Sequence, residues 1–317
     1  MKILEVKNLN IGFNFLDGFK QAIHNVSFDL NKGETLAIVG ESGCGKTIST
    51  MSILRLLPEN SKIVSGEVVF DDRNLLRVSE REMQKIRGKM IALIPQDPMT
   101  SLNPLYTIGD QLLEVIELHQ GLKGDEAKKV AVKALEQVKI PDAAEKMKSY
   151  PHEFSGGMKQ RVIIAMALAC HAEIIIADEP TTALDVTVQA QIMDLLKEIK
   201  ENNGISMILI THDLGIVAQN ADRIAVMYAG HVVEYSTTLE LFKNPKHPYT
   251  KALLNVVLDI NTKEISTIEG HPPSITETIT GCPFFDRCKD RMPVCKEQYP
   301  ELKHVNTKTQ AACWLYK

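Results

Sequence analysis

The stretch that decides the fold of this 317-residue chain is Gly40-Glu41-Ser42-Gly43-Cys44-Gly45-Lys46-Thr47. It fits the pattern G-x-x-x-x-G-K-[ST], with an apolar run before it and helix-like sequence after it. The glycines let the backbone turn so that consecutive N–H groups point inward, and the N-terminus of the following helix adds partial positive charge. The stretch therefore predicts a loop that binds nucleotide phosphates. In it, Lys46 reaches the β- and γ-phosphates, Thr47 binds Mg²⁺, and Cys44 contributes its backbone N–H.

A second motif places two acidic residues at the end of an apolar strand, in the sequence Ile174-Ile-Ile-Ala-Asp178-Glu179-Pro180-Thr181. A carboxylate removed from water needs compensation, and a bound Mg²⁺ supplies it. We therefore predict that Asp178 holds the metal through its water shell. Glu179 follows one residue later, and we predict that it polarises the water that attacks the nucleotide.

A third motif is Ser155-Gly156-Gly157, which precedes an apolar helix at Val162–Cys170. A turn of this kind at a helix N-terminus is a second anion site. One chain cannot easily direct two such sites at one nucleotide. The motif therefore predicts a dimer, in which this turn caps the γ-phosphate held by the partner's phosphate loop.

The order of elements predicts an α/β fold with a mainly parallel sheet, because buried strands and helices alternate from residue 174. Residues 97–165 are predicted to be mostly helical. A shift to Pro-, Gly- and Thr-rich sequence near 237 predicts a domain of residues 1–237, with a helical insert at about 97–165, and a small C-terminal extension of residues 238–317. The 36 basic and 40 acidic residues give a formal charge of −4, which does not favour a nucleic-acid partner.

No stretch of 18 apolar residues occurs, and the first residues, MKILEVKNLN, have no apolar core of signal-peptide length. Any membrane role is therefore expected to come through a partner protein.

The C-terminal extension contains four of the six cysteines, in the spacing C-x5-C-x6-C-x17-C. This spacing differs from the paired C-x2-C pattern of most zinc sites and from the bacterial ferredoxin pattern. From the spacing alone, a metal or cluster site and a set of unlinked thiols both stay open. The four residues are Cys282, Cys288, Cys295 and Cys313.

Six motifs in a fixed order give the chain a resemblance to the ABC ATPases: the phosphate loop, Gln96 after a strand, Ser-Gly-Gly, Ala-Asp-Glu-Pro-Thr, Ala183-Leu184-Asp185, and a strand ending in Thr211-His212-Asp213. The resemblance covers roughly residues 1–237 and implies a RecA-like P-loop core. The family signature usually reads LSGGQ, and here Phe154 and Met158 replace its end residues while Ser155 and Gly157 are kept.

The resemblance also implies roles for single residues. In the family, Gln96 touches Mg²⁺ and the attacking water, and it senses the permease. His212 contacts the γ-phosphate, and Asp185 bridges the dimer. An aromatic residue in the first strand region stacks on adenine, and we predict Phe13 rather than Phe15 or Phe19.

Three further stretches narrow the resemblance to the dipeptide and oligopeptide importer ATPases, close to the D-type subunit of dipeptide systems: Gln96-Asp97-Pro98-Met99-Thr100-Ser101-Leu102-Asn103-Pro104, His247-Pro248-Tyr249-Thr250, and GCPFFDRC with the two later cysteines. This resemblance implies an ATPase that drives peptide import. A nickel importer ATPase and a soluble ABC ATPase that transports nothing are the alternatives.

The resemblance implies partners and a location as well. These are two transmembrane permease subunits, a second homologous ATPase subunit, and an external peptide-binding protein that acts indirectly. The chain is expected at the cytoplasmic face of the cell membrane. The family resemblance also implies that the four cysteines hold a [4Fe–4S] cluster. Since all motor motifs precede residue 237, ATP binding is expected to survive loss of this cluster.

Overall fold

The computed structural model describes residues 1–182, 184–258, 268–275, 277 and 279–316. The chain divides into two compact units, each described in turn. The first unit joins Met1–Arg77 to Ile210–Lys317, and the second unit is Val78–Leu209. None of the described helices is both long enough and apolar enough to cross a membrane.

The first unit begins with an antiparallel sheet in the strand order β2-β1-β4-β5. Residues 4, 6, 9 and 11 of the first strand are buried apolar side chains, so its periodicity shifts where the pairing register shifts. The sequence predicts strands in LEVKNLNIGF and HNVSFDL, and both are parts of one long hairpin formed by the first two strands. The strands are β1 (Lys2–Phe15), β2 (Gly18–Asn31), β4 (Ser61–Phe70) and β5 (Arg73–Asn74).

A second set of strands in this unit carries the phosphate loop. The order is β11-β12-β10-β9-β3, with β3 parallel to β9 and β9 antiparallel to β10. The sequence AVMYAGHVVEYS predicts a hairpin that turns at Ala229–Gly230. The structure confirms this turn, and both residues have the positive φ (44° and 78°) that a tight hairpin requires. The strands are β3 (Thr35–Val39), β9 (Arg223–Tyr228), β10 (His231–Thr237), β11 (Lys303–His304) and β12 (Thr309–Ala311).

The helix after the phosphate loop is shorter than the sequence predicts. The sequence predicts a helix from Lys46 to Leu57 that stops at Pro58. In the structure, α1 ends at Met51 and is followed by a 3₁₀ turn at Ser52–Leu54. Arg55 then takes a left-handed conformation (φ 54°), which ends the helix three residues before Pro58. The other helices of this unit are α9 (Leu214–Asn220), α10 (Thr238–Lys243), α11 (Pro248–Leu258) and α12 (Pro293–Glu297).

The described residues after 237 belong to the same compact unit as the phosphate-loop strands. Strand β12 extends the sheet through antiparallel pairing with β10. Tyr249 and Phe284 are fully buried in the same core as Val39, the last residue of β3. The predicted small extension is therefore built onto the first unit by backbone pairing and by shared aromatic packing.

The second unit contains the strands β8-β7-β6, in which β6 and β7 are parallel. Between residues 98 and 169 every regular element is a helix, as predicted. Short polar caps start several of these helices; Thr107 and Asp110 form a complete capping box. The strands are β6 (Ile91–Ile94), β7 (Ile174–Asp178) and β8 (Ser206–Ile210). The helices are α2 (Glu80–Ile86), α3 (Pro98–Ser101), α4 (Ile108–Gln120), α5 (Gly124–Gln137), α6 (Ala143–Lys146), α7 (Gly156–Ala169) and α8 (Val186–Asn203).

Candidate nucleotide-binding site

The phosphate loop leaves the carboxyl end of β3 and closes on itself through Lys46. This side chain is 5% exposed, and its Nζ donates to the carbonyl oxygens of Gly40 (2.9 Å) and Glu41 (3.1 Å). A Cβ at Gly40 would lie 2.2 Å from the Met227 carbonyl oxygen, so only glycine fits there. Ser42 and Gly43 form the outer turn, and Gly45 (φ 102°) leads into α1. The loop thus has the strand, turn and helix that the motif requires.

The thiol of Cys44 is buried, and burial raises its pKa above the ordinary value. A buried, protonated thiol is a poor nucleophile, which agrees with the prediction that Cys44 contributes only its backbone N–H. The carbonyl oxygen of Cys44 accepts the Gly230 N–H (2.9 Å), so the β9–β10 hairpin turn is hydrogen-bonded to the phosphate loop.

His212 lies at the same end of the strands as the phosphate loop. Thr211, just before it, donates its N–H to the carbonyl oxygen of Ile38 (3.4 Å), near the end of β3. Asp213, just after it, caps α9 by accepting the Gly215 N–H (2.8 Å). His212 itself is exposed. The strand end and the helix cap therefore fix the backbone on both sides of this histidine.

A cavity of about 730 Å³ opens beside the phosphate loop within the first unit. Gly43, Gly45 and Ile48 form its side next to the loop, and Phe13 and Phe19 form its side on the β1–β2 hairpin. Its volume is that of a site for a small molecule such as a nucleoside. Residues after 237 contribute a further wall, through Ile275, Pro283, Tyr299 and other residues.

In the second unit, the predicted acidic residues lie at the end of β7. Asp178 is the last strand residue and is 2% exposed. Glu179 follows in a left-handed conformation (φ 44°), which is unusual for a residue with a side chain. Its Oε2 accepts hydrogen bonds from Gln96 Nε2 (3.0 Å) and from the Thr182 hydroxyl (2.8 Å). The structure thus brings together Gln96 and Glu179, two of the predicted site residues, and adds Thr182, which the sequence analysis did not single out.

The Ser-Gly-Gly turn is the N-terminus of α7. Ser155 is its N-cap, and Ser155 Oγ accepts the Met158 N–H (3.3 Å). A Cβ at Gly157 would lie 2.5 Å from Val188 Cγ1, so a glycine is needed where α7 and α8 meet; Gly156 faces Leu184 with more room. Asp185, predicted to bridge a dimer, is the N-cap of α8 and accepts the Val188 N–H (3.0 Å). Within one chain, the Ser-Gly-Gly turn and Asp185 therefore both lie where α7 and α8 pack together.

The four cysteines of the last segment converge on one small cavity. Cys282, Cys288, Cys295 and Cys313 all line it. Gly281 makes the approach possible, since a Cβ there would lie 2.2 Å from the Cys295 carbonyl oxygen. The Cys282 N–H also donates to that carbonyl (2.7 Å). The sequence spacing alone did not show this convergence.

The donor set suits an iron–sulfur cluster or a zinc ion, because four thiolates are the usual ligands of both. All four cysteines are free thiols. Burial, followed by the neighbouring cysteines, raises the pKa of Cys282 to about 12. The cavity measures about 10 Å³, the space of one water molecule. In the described part of the chain no group of three or more His, Cys, Asp or Glu side chains is arranged to hold a metal ion. A cluster would fit only after the thiols move apart and lose their protons.

The stretch His247-Pro248-Tyr249-Thr250 starts α11, and all four residues are buried. His247 and Thr250 are each 1% exposed. His247 Nδ1 accepts the Tyr249 N–H (3.1 Å), in the manner of an N-cap side chain. The His247 N–H in turn donates to Glu234 Oε2 of β10 (2.8 Å). Burial, with a smaller contribution from Lys251, lowers the pKa of His247 to about 3.

We expect this histidine to make the chain acid-sensitive. Below pH 6.5 the unfolded chain binds a proton at His247 that the folded chain rejects, so stability falls as the pH drops from 6.5 towards 3. At pH 5 the loss is about 2 kcal/mol. In His247→Asn the amide oxygen can still accept the Tyr249 N–H, and the side chain at this position no longer titrates. Melting temperatures measured from pH 7.5 to 5 should therefore fall less steeply in this variant than in the wild type. His271→Asn, at an exposed position, is the matched control. Equal slopes for all three proteins would contradict the prediction.

Comparisons with known proteins agree with this geometry. The sequence pattern of the family described as "ABC transporter" matches residues 23–182. That of the "Oligopeptide/dipeptide transporter, C-terminal region" matches residues 233–295. A pattern described as "AAA domain, putative AbiEii toxin, Type IV TA system" also matches residues 147–218.

Among curated proteins, the chain is 52% identical to the dipeptide transport ATP-binding protein DppD of Bacillus subtilis, over 99% of this chain and 95% of the relative. It is 49% identical to the oligopeptide transport ATP-binding protein OppD of Salmonella typhimurium, over 94% of this chain and 89% of the relative. Both alignments extend through the phosphate loop and into the cysteine segment.

Among solved structures, the chain resembles the ATP-binding cassette MJ0796 in a dimeric post-hydrolysis state bound to ADP and Pi. The TM-score is 0.66 at 30% identity, over 74% of this chain and 98% of that one. CbiO1 of Clostridium perfringens, part of the ABC transporter complex cbiONQ, gives the same TM-score and identity over 77% of this chain and 91% of that one. With its motifs, fold and relatives in agreement, this chain belongs to the family of ABC transporter ATP-binding proteins.

Proposed function

We propose that this chain hydrolyses ATP to drive the import of dipeptides or oligopeptides through a membrane permease. The observation that carries the proposal is the arrangement around Glu179. This carboxylate sits at the end of a buried strand and is oriented by Gln96 and Thr182. A carboxylate held in this way can accept a proton from water as a general base. The phosphate loop supplies the binding site that such a base needs.

The peptide cargo rests on the C-terminal region and on the relatives. The names of the two relatives refer to dipeptide and oligopeptide transport. The matched C-terminal region, 233–295, contains the His247–Thr250 stretch and three of the four clustered cysteines. These features favour a peptide importer over a nickel importer ATPase and over a soluble ABC ATPase.

We assign the following roles to the site residues. Residues 40–47 bind the phosphates, Thr47, Gln96 and Asp178 hold Mg²⁺, and Glu179 activates the attacking water. His212 contacts the γ-phosphate. Ser155, Gly156, Gly157 and Asp185 act on the nucleotide of a second ATPase subunit, which is a homologous but different chain. Phe13 stacks on adenine.

The partners proposed are two transmembrane permease subunits, the second ATPase and, indirectly, an external peptide-binding protein. With these partners the chain works as a peripheral subunit at the cytoplasmic face of the membrane. No nucleic-acid partner is proposed.

Reconstitution tests this function. Co-expression with the two permease subunits and the second ATPase of the same gene cluster should yield one complex. In proteoliposomes, that complex should release phosphate from ATP faster when the peptide-binding protein and a dipeptide are added. The chain alone should be a weak ATPase, because its site needs the partner's Ser-Gly-Gly turn. Failure to bind the permease, or stimulation by Ni²⁺ instead of peptide, would overturn the peptide-import proposal.

For the cysteine segment we propose a [4Fe–4S] cluster held by Cys282, Cys288, Cys295 and Cys313. Its support is the number of the thiols and their convergence on one cavity. The role proposed is structural, since no other group in the described chain points to redox chemistry.

Replacing Phe13 tests the adenine position. Its ring lines the cavity beside the phosphate loop, whereas Phe15 is not among the lining residues. Loss of an aromatic stack costs about 0.5–1.5 kcal/mol, so Phe13→Ala should weaken ATP binding up to about tenfold. Phe15→Ala is the matched control and should bind as the wild type does, by titration with a fluorescent ATP analogue. If Phe19→Ala weakens binding and Phe13→Ala does not, Phe19 is the stacking residue.

A further inference from the structure

A partly buried ion pair joins the part of the chain that contains the clustered cysteines to the phosphate loop. Arg287 Nη1 lies 2.7 Å from Glu41 Oε2, and Nη2 lies 3.0 Å from Glu41 Oε1. The two residues are 246 positions apart in sequence. The Arg287 side chain is only 6% exposed and that of Glu41 is 25% exposed. This is the two-pronged geometry in which arginine and a carboxylate bind most specifically.

Every N–H of this guanidinium has a partner. Besides the two bonds to Glu41, Arg287 donates to the Tyr228 hydroxyl (3.2 Å) and to the carbonyl oxygens of Ile268 (3.2 Å) and Glu269 (3.0 Å). An arginine has five such donors, so none is left over for a ligand. The hydrogen bonds to Glu41 are the largest cause of a raised pKa for Arg287, which keeps the group charged.

The backbone of Glu41 is held by a second residue from the same C-terminal part of the chain. The Glu41 N–H donates to the hydroxyl of Tyr249 (2.9 Å). Tyr249 is fully buried and packs against Tyr228 (4.6 Å between ring centroids) and Phe284 (5.4 Å). Side chain and backbone of one loop residue are thus both fixed by residues after 237.

Glu41 also makes hydrogen bonds within the phosphate loop. Its carbonyl oxygen accepts hydrogen bonds from Lys46 Nζ (3.1 Å) and from the Cys44 N–H (3.3 Å). The position of Glu41 therefore sets the curvature of the phosphate loop and the position of the lysine ammonium. A shift of Glu41 would move the N–H groups that face the phosphates.

The segment that presents Arg287 is itself bounded by two of the converging cysteines. Arg287 ends a 3₁₀ turn, Phe285–Arg287, between Cys282 and Cys288. The Phe285 N–H donates to the Cys282 carbonyl (3.0 Å), and the Cys288 N–H donates to the Phe285 carbonyl (3.2 Å). The cysteine turn is thus a short, hydrogen-bonded support for the arginine.

We propose that Arg287 and Tyr249 are positioning residues that hold the phosphate loop in the shape that binds a nucleoside triphosphate. This inference rests on the proposed ATP binding. It adds residues after 237 to a nucleotide site whose sequence motifs all precede residue 237. The C-terminal segment then contributes to nucleotide affinity without touching the nucleotide.

The test compares ATP affinity and maximal hydrolysis rate in full-length variants. Arg287→Ala should weaken ATP binding about tenfold or more, a typical strength for coupling between two sites. In the assembled transporter it should raise KM for ATP while kcat at saturating ATP changes by less than a few-fold. Arg287→Lys should not restore affinity, because one ammonium cannot bind both carboxylate oxygens. Arg291→Ala is the matched control, since Arg291 is exposed and lies four residues further on.

Two further variants keep the test decisive if Arg287→Ala does not fold. Tyr249→Phe removes only the hydroxyl that accepts the Glu41 N–H, and it should weaken ATP binding a few-fold. Glu41→Gln removes the charge that Arg287 binds, and adding Arg287→Ala to it should weaken binding less than in the wild-type background. Folded Tyr249→Phe and Arg287→Ala proteins that bind ATP like the wild type would overturn this inference. A wild-type chain that binds no ATP would instead overturn the proposed function.

Discussion

Glu179→Gln should abolish ATP hydrolysis and leave ATP binding intact. Glutamine keeps the length and shape of glutamate, so the strand end and the left-handed backbone at this position are retained. The amide cannot take a proton from water, and loss of a general base costs about 10²–10⁴-fold in rate. The phosphate loop is unchanged, so affinity for ATP should stay near that of the wild type. Phosphate release and equilibrium binding, measured on the assembled transporter, separate the two effects.

The matched control is Glu173→Gln. Glu173 is an exposed glutamate just before β7, at the opposite end of the strand from Glu179. Its replacement removes the same charge from the same strand and should leave hydrolysis unchanged. Turnover by Glu179→Gln within a few-fold of the wild type would show that another group activates the water. Loss of ATP binding in Glu179→Gln would instead assign this residue to binding.

Thr182 is a second residue that orients Glu179. Its hydroxyl donates to the same Glu179 oxygen that Gln96 reaches. The Thr182 N–H also donates to the Glu179 carbonyl (3.2 Å), so the threonine fixes both ends of the residue. Two neutral hydrogen-bond donors on one oxygen therefore restrict the direction of the Glu179 carboxylate. Gln96 and Thr182 thus hold the Glu179 carboxylate in one orientation, which the proposed role as a general base requires.

Local patterns allowed most of this site to be predicted from the sequence. The phosphate loop, the strand before Asp178 and the turn at Ala229–Gly230 each depend on neighbours within a few residues. Glycine spacing and runs of apolar residues report such neighbours directly. The helix after the loop was predicted too long, because nothing in the sequence from 52 to 57 signals the left-handed turn at Arg55.

Long-range contacts could not be predicted in the same way. Arg287 is one of several basic residues near the cysteines, and no pattern assigns it to a glutamate 246 positions away. Tyr249 was recognised as part of a family stretch, but its hydroxyl partner in the phosphate loop was not. Both contacts depend on how α11 and the turn Phe285–Arg287 pack against β3 and β9. Packing between such distant segments leaves no periodic pattern in a single sequence.

The cysteine segment gives the second large expected effect. Protein purified without oxygen should be brown and carry about four irons per chain, as a [4Fe–4S] cluster requires. Changing Cys282, Cys288, Cys295 or Cys313 to Ser should bleach the protein and lower the melting temperature. Cys44→Ser and Cys170→Ser are the controls. Both residues are buried thiols outside the cavity, and their replacement should leave the colour intact.

The raised thiol pKa values add a pH dependence to this prediction. Burial and the neighbouring cysteines favour the protonated form of Cys282, so a metal must displace protons in order to bind. Iron retention should therefore weaken as the pH falls, and refilling the metal-free protein should release protons. Cluster binding must also open a cavity of about 10 Å³, so it should change the protection of amides 282–288 from hydrogen exchange. Colourless protein with one zinc would replace the cluster by a four-thiolate zinc site. Protein with neither metal would reduce the four thiols to core packing around the turn that presents Arg287.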